Sequence, residues 1–337
     1  MRILIGNTLD PYFNLASEEY LLDTATDDVF MLWQNAPSVI IGKNQNAYAE
    51  VNVPYTTSHD IAVVRRLTGG GAVFHDPGNV NFTFITKAPD EPQIDFAAFA
   101  EPIITALAEM GVPAELNGRN DITSGGLKIS GNAQCVHRRA DGTKMLLHHG
   151  TLLYDADMSH LAESRNVNRE KLQSKGIKSV TARVGNIRTI GSLAMTAEEF
   201  MHSLARFAED RFTTTSETFT ESETEGITRL RNEKYSTWEW NFGKSPEYGN
   251  TRSARFPFGT VTADYMVDHG VITKLSLSGD YFGVEDKAPL EETLTGVRYD
   301  TAAITEALAD FPVGNVISGA SAEDIANLLT GNNTTGE

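Results

Sequence analysis

The chain has 337 residues, 40% of them hydrophobic and 22% charged, a balance ordinary for a globular protein with room for about two domains. Its formal charge of −17 argues against nonspecific binding to nucleic acid or to an anionic membrane. Cys135 is the one cysteine, which excludes an intrachain disulfide and fits the reducing cytoplasm, and no apolar run suits a signal peptide or a membrane span.

In chain order, residues 14–24 predict a helix with Asn14 as N-cap. VFMLWQ (29–34), SVIIG (38–42) and IAVVRRL (61–67) read as strands, and NVNFTFIT (79–86) alternates apolar Val80, Phe82 and Phe84 with polar neighbours. The period then changes. Phe99, Ile103, Leu107 and Met110 share one helical face over 97–110, stopped by Gly111 and Pro113. Residues 125–139 and 143–155 read as strands around an Asp141-Gly142 turn, and 196–211 as a helix. The tract 213–226 is polar and acidic, expected to be a solvated connection or weak helix without chemistry. The Gly- and Pro-containing stretch 238–253 is the expected domain boundary. Beyond it come a hairpin turning at Asp268-His269-Gly270 and helices near 289–296, 301–310 and 322–329, the last capped by Ser321 and Asp324.

The densest chemistry lies in RRLTGGGAVFHDPGNVNFTFI, residues 65–85. Arg65 and Arg66 offer fixed charge to an anion, and Gly69, Gly70 and Gly71 can take φ > 0 and let a ligand lie on the backbone. In GRNDITSGGLKISGNAQ (118–134), Lys128 stands in an alternating strand, a pattern that suits a solvent face as well as a site. Asp121 suits either an Asx turn or a Mg²⁺ ligand, since that ion takes one or two carboxylates beside phosphate oxygens. Arg119, Lys128, Arg138, Arg139 and Lys144 outnumber Asp121 and Asp141 locally, which fits a solvated loop or an anion site. His148 and His149, adjacent on one strand, point to opposite faces. Cys135 is either a small buried hydrophobe or, with His137 two residues on, a nucleophile. There is no P-loop, dinucleotide fingerprint, nucleophile elbow or HExxH, and one cysteine cannot build a thiolate zinc cluster.

Taken in order, NLASEEYLL (14–22), SVIIGKNQN (38–46), RRLTGGGAVFHDPGNVNFTF, GRNDI, KISGNAQ, HHGTLLYD (148–155), SKGIKSVTARVGNI (174–187) and WEWNFGKSP (238–246) resemble the lipoate–protein ligase A family over nearly the whole chain. The resemblance implies an α+β fold: a biotin/lipoate-ligase-like catalytic domain with a mixed sheet and packed helices over residues 1–244 (core about 25–210), and a small α+β accessory domain over 250–337. It implies that lipoate and Mg-ATP give lipoyl-AMP and pyrophosphate. The acyl group then passes to a lysine on lipoyl domains of 2-oxoacid dehydrogenase complexes and the glycine-cleavage H protein, with the enzyme expected as a monomer.

By motif, Lys128 is the catalytic residue, contacting the acyl carbonyl and the α-phosphate. Arg66, Gly71, Ala72, Val73, Phe74 and Lys128 correspond to ATP contacts. Arg66, Thr68, Gly69, Gly70, Lys128 and His149 correspond to lipoate contacts, and Asp121 to the Mg²⁺ ligand. Thr68 departs from the serine of many members, keeping the hydroxyl and adding a methyl. The competing enzyme is an octanoyltransferase of the same superfamily using Cys135 as acyl-thioester nucleophile, although the cysteine of those enzymes lies upstream of the KISG-type motif. A noncatalytic lipoate-binding protein would have lost Lys128 or the arginine–glycine loop, and neither is lost.

Overall fold

A computed structural model describes residues 1–118, 120–157, 159–164, 184–243 and 250–331. Arg119, residues 174–183 of the SKGIKSVTARVGNI motif, residues 244–249 of the expected boundary and residues 332–337 lie outside the described residues.

β1 (Arg2–Ile5) leads into α1 (Pro11–Thr24). This helix starts earlier than the Asn14 cap predicts. The Asp10 side chain accepts from the Tyr12 and Phe13 amides, and Pro11 takes the first turn, where a missing N–H costs nothing. Asn14 is a buried residue inside the helix. Next come β2 (Val29–Trp33), β3 (Ser38–Ile41), α2 (Ala47–Glu50), α3 (Val53–Ser58), β4 (Ala62–Arg65), β5 (Val73–His75) and β6 (Asn79–Lys87). The predicted amphipathic helix is α4 (Ala97–Glu109), and Gly111 follows at φ +80°. β7 (Glu115–Asn117) and β8 (Asp121–Ser124) precede the long hairpin of β9 (Leu127–Arg138) and β10 (Lys144–Leu153).

After α5 (Ser159–Glu163), α6 (Ile187–Ile190) and α7 (Ala197–Phe212), the acidic tract is mostly exposed and takes the helical alternative in its second half. It forms β11 (Ser216–Glu217) and the start of α8 (Glu221–Leu230), with a Thr220–Glu223 capping box. Arg2 holds Glu223 by two hydrogen bonds and brings its carboxyl down to about 2. A π-helical turn (Arg231–Tyr235) and α9 (Trp238–Asn241) follow.

The chain ends with β12 (Asn250–Phe256), β13 (Gly259–Asp268), β14 (Val271–Gly279), α10 (Ala288–Leu294), α11 (Thr301–Ala307), α12 (Val313–Val316) and α13 (Ala322–Thr330). The β13–β14 turn has His269 at φ 48° and Gly270 at φ 78°, the backbone twist a two-residue hairpin favours. Ser321 and Asp324 form the predicted capping box.

Among the described residues the main sheet runs β11-β1-β2-β6-β10-β9-β8-β7, parallel through β11, β1 and β2 and antiparallel beyond. β4-β3-β5 and β12-β13-β14 form two smaller sheets. Strand alternation divides the core. Phe30, Phe82 and Phe84 pack with Ile103 and Leu107 of α4 and Phe200 of α7. Met31, Trp33 and Ile85 pack on the other face with Leu15 and Leu22 of α1 and Ile227 of α8. A separate core joins Val261 and Leu277 of the last sheet to Leu290, Ile304 and Ile325.

That C-terminal core seats against the front of the main unit. Gly279 N–H donates to the Asn44 carbonyl at 2.9 Å, and Phe282 meets Phe96 edge-on with ring centroids 5.3 Å apart.

Candidate active site

A cavity of about 270 Å³ opens beside the glycine loop. Its mouth carries Asn120, Asp121, Lys128, Gly71 and Asp280, and its inner wall is Leu15, Trp33, His75, Asn81 and His149. Of the residues predicted from motif, Arg66, Gly70, Gly71, Ala72, Val73, Lys128, Asp121 and His149 line this one space. Thr68, Gly69 and Phe74 stand behind it: Thr68 is fully buried and bonded to His149, Gly69 meets the C-terminal module, and Phe74 joins the apolar core around β3.

Lys128 sits on β9 just past a bulge in the β8–β9 pairing. Its ammonium meets Asp121 Oδ1 at 2.7 Å, both side chains about one-third exposed. It also lies over Gly131, where an added Cβ would stand 3.1 Å from Nζ. Lys128 is therefore on the cavity face and not on open solvent. Among the described residues no three His, Cys, Asp or Glu side chains are grouped to hold a metal by themselves. Asp121 fits an ion that takes one carboxylate and completes its shell from phosphate and water.

The two arginines do different work, because neighbours on a strand point opposite ways. Arg65 is 1% exposed, and its guanidinium donates to the carbonyls of Gly42, Lys43, Gln45, Trp240 and Asn241. Burial lowers its pKa to about 10. It clamps two distant segments together and is no anion contact. Arg66 turns toward the cavity, where its Nη2 bridges the Gly69 and Gly71 carbonyls at 2.6 and 2.9 Å.

The glycines also differ from expectation. Of the three, Gly70 alone takes positive φ, +89°. An added Cβ at Gly69 would stand 2.2 Å from the Tyr281 carbonyl, and one at Gly70 would strike the Phe282 ring. Gly70 N–H donates to Tyr281 O at 3.1 Å. These two missing side chains admit the C-terminal module. At Gly71 the nearest atom is Asp280 Cβ at 3.9 Å, so the space above the loop opens there.

Behind the loop runs a buried chain of polar groups. Glu18, on α1 and fully buried, accepts from Thr83 Oγ1 at 2.7 Å and pairs with His149 Nδ1 at 2.9 Å. Trp33 Nε1 donates to Thr83 Oγ1. His149 Nε2 meets Thr68 Oγ1 at 2.8 Å, and that oxygen accepts from Arg66 Nε at 2.9 Å. A carboxylate can only accept, so His149 presents its proton on Nδ1 and takes the Thr68 hydroxyl proton at Nε2. Motif reading does not reach Glu18 or Trp33.

His148 points the other way, stacked on Phe99 with centroids 4.9 Å apart, and burial depresses its pKa to about 3. The Cys135 thiol does not line the cavity, and burial pushes it up to about 12. His137 is engaged with Asp23 at 2.7 Å. Among the described residues no base is hydrogen-bonded to this thiol, and its pKa is raised where a nucleophilic cysteine needs it lowered.

Residues 10–208 match the family model for the lipoyl protein ligase A/B catalytic domain, and residues 245–329 match that for the bacterial lipoate protein ligase C-terminus. The lipoate-protein ligase LplJ of Bacillus subtilis is 39% identical over 328 residues, 96% of this chain and 98% of that protein. Lipoate–protein ligase 1 of Staphylococcus aureus is 39% identical over 327 residues, again 96% and 98%. Among solved structures, a crystal structure of P. falciparum LipL1 in complex with lipoate shares the fold with TM-score 0.77, at 24% identity over 98% of both chains. A lipoate-protein ligase A bound with ATP superposes with TM-score 0.59 at 28% identity, covering 72% of this chain and 98% of that one. No described helix is long and apolar enough to cross a membrane. The domain matches and the near-full-length relatives agree with the cavity and its glycine loop: this chain belongs to the lipoate–protein ligase family, with the α+β fold of the lipoate ligases.

Proposed function

We propose that the protein activates lipoate with ATP and transfers the lipoyl group to a lysine of an acceptor protein. The observation that supports this most directly is one cavity joining a half-exposed mouth that carries an ammonium to a closed inner end walled in part by apolar side chains. Lys128 and Gly71 stand at the mouth, and Leu15 and Trp33, both below 3% exposed, close the end. That shape suits an acid with its carboxylate outside and its tail within.

In the first half-reaction a lipoate carboxylate oxygen attacks the α-phosphorus of ATP, the bond from that phosphorus to the β-bridging oxygen breaks, and pyrophosphate leaves. In the second, the acceptor lysine amine attacks the acyl carbon, the bond to AMP breaks, and the amine loses a proton. Neither step needs a protein nucleophile. Positioning and charge stabilisation carry the rate. Lys128 supplies the ammonium where α-phosphoryl charge grows. The backbone of Gly71, Ala72, Val73 and Phe74 follows the nucleotide, and Arg66 holds that loop by its carbonyls. Mg²⁺, when bound with the nucleotide, offsets phosphate charge, and we assign Asp121 as its carboxylate contact. Lipoyl domains of 2-oxoacid dehydrogenase complexes and the glycine-cleavage H protein are the proposed acceptors, and a cytoplasmic monomer the proposed form. We take residues 1–244 as the catalytic unit and 250–337 as the accessory one.

The test is lipoate-dependent ATP–pyrophosphate exchange with wild type and Lys128→Ala. Loss of a transition-state charge partner of this kind costs on the order of 3 kcal/mol, about a hundredfold in rate or more. Absence of exchange in the wild type, or near-normal exchange in a folded Lys128→Ala, defeats the reading. The Cys135 transferase is disfavoured by a half-buried thiol of raised pKa that lies off this cavity's wall.

A further inference from the structure

Two histidines face the cavity, and the bonds around them assign opposite proton positions. The Asn14 amide sets the first direction. Its Nδ2 reaches the Thr8 carbonyl at 3.0 Å, the Gln34 carbonyl at 2.8 Å and Asn35 Oδ1 at 3.0 Å. Backbone carbonyls accept only, so this atom is the donor nitrogen of the amide. Asn35 must then present its oxygen to Asn14, which turns its own Nδ2 to His75 Nδ1 at 3.1 Å. A ring nitrogen that accepts there carries no proton, so the His75 proton sits on Nε2. His149 is the reverse case, with Nε2 already accepting from Thr68.

His75 Nε2 has no hydrogen-bond partner among the described residues, and the ring is 4% exposed. It lines the inner end of the cavity and meets Trp33 edge-on at 6.1 Å between centroids. A buried N–H without an acceptor is costly, and native structures rarely tolerate one without a purpose. An acid with its carboxylate at Lys128 sends its tail toward this end.

We propose that His75, through its Nε2–H, is a specificity-determining residue that favours acids with a hydrogen-bond acceptor in the distal tail, such as dithiolane sulfur, over alkyl acids of the same chain length. This rests on the acid-activating reading above. An alkyl tail closes over the N–H and brings nothing to accept it. Sulfur is a weak acceptor, and even a weak one offsets part of that cost. A site built around a polar group discriminates against ligands that leave the group unpaired.

The experiment measures kcat/KM in ATP–pyrophosphate exchange for lipoate, octanoate and a thioether acid of octanoate length, using wild type and His75→Phe. The wild type should prefer both sulfur acids over octanoate. The phenylalanine variant should shift the lipoate-to-octanoate ratio toward octanoate by about tenfold. A second measurement needs no variant. In ¹⁵N spectra of the wild type, His75 should carry its proton on Nε2, and that signal should move on adding lipoate more than on adding octanoate. An unchanged ratio in His75→Phe, or a proton found on Nδ1, overturns this inference alone. A wild type that activates none of the acids overturns the ligase reading and this inference with it.

Discussion

Replacing Glu18 by Gln tests the buried polar chain behind the glycine loop, because it changes hydrogen-bond direction and keeps the shape. The carboxylate is fully buried and receives two donors, His149 Nδ1–H at 2.9 Å and Thr83 Oγ1–H at 2.7 Å. Glutamine offers one oxygen and one NH₂. Both donors reach Oε1, so a glutamine oxygen there keeps them, but its NH₂ then takes the place of Oε2, 3.1 Å from the His149 Nδ1–H, donor against donor. His149 escapes by moving its proton to Nε2, which then opposes the Thr68 hydroxyl that braces Arg66. A hydrogen bond to a charged group contributes about 1.5–3 kcal/mol, so a stability loss near 2 kcal/mol is expected. The loop carbonyls of Gly69 and Gly71, held by Arg66, lose their alignment, so KM for ATP should rise more than kcat falls.

The assay is denaturant unfolding of Glu18→Gln, Thr68→Val and the double variant, with pyrophosphate exchange on each. Glu18 and Thr68 are joined through His149, so their effects should be non-additive by about 0.5–3 kcal/mol. Additivity within about 0.5 kcal/mol would falsify the chain as a coupled unit.

Two further outcomes are expected. Burial holds the His75 and His148 pKa values near 3, against about 6.5 when unfolded, so the unfolded chain binds protons that the native one refuses. Stability is full above about pH 6.5 and falls as pH drops toward 3, by about 1.4 kcal/mol per pH unit for each histidine. His148→Phe should flatten that slope between pH 6 and 4.5 in unfolding titrations, and an unchanged slope counts against the burial argument. Cys135→Ser should match wild type in adenylation and in transfer from preformed lipoyl-AMP. An acyl-thioester trapped on Cys135 of the wild type would instead restore the transferase.

The sequence spoke clearly where one local pattern carries the structure. Val80, Phe82 and Phe84 alternate against Thr83 and Ile85, and they do enter one core while Ile85 enters the other. Ser321 with Asp324 and the two-residue turn at His269-Gly270 are local chemistry too. Other local signals are as plain. Asp10-Pro11 is a stronger helix start than Asn14. Thr220-x-x-Glu223 is a capping box inside a tract judged on composition alone. Adjacent strand residues cannot both face one anion, which already separates Arg65 from Arg66.

At the site, Lys128, Asp121 and His149 were legible from motif, and the cavity brings them together. Their supports were not. Glu18 lies 131 positions from His149, and the clash that makes Gly69 necessary comes from Tyr281. Contacts of such separation depend on the finished sheet and leave no periodic trace.

The Arg65 clamp has a consequence for where this chain can be divided between two polypeptides. A cut that follows the catalytic family match and ends near residue 208 removes Trp240 and Asn241, whose carbonyls cap the guanidinium. It also exposes the Arg65 amide, which donates to the Asn241 side chain at 2.8 Å. A buried cation would be left short of acceptors at the end of the β3–β4 pairing, a defect of several kcal/mol in comparable cases. A gene split that keeps a working first half therefore has to fall after Asn241, where the same arginine fastens the last segment of the unit to the small β4-β3-β5 sheet.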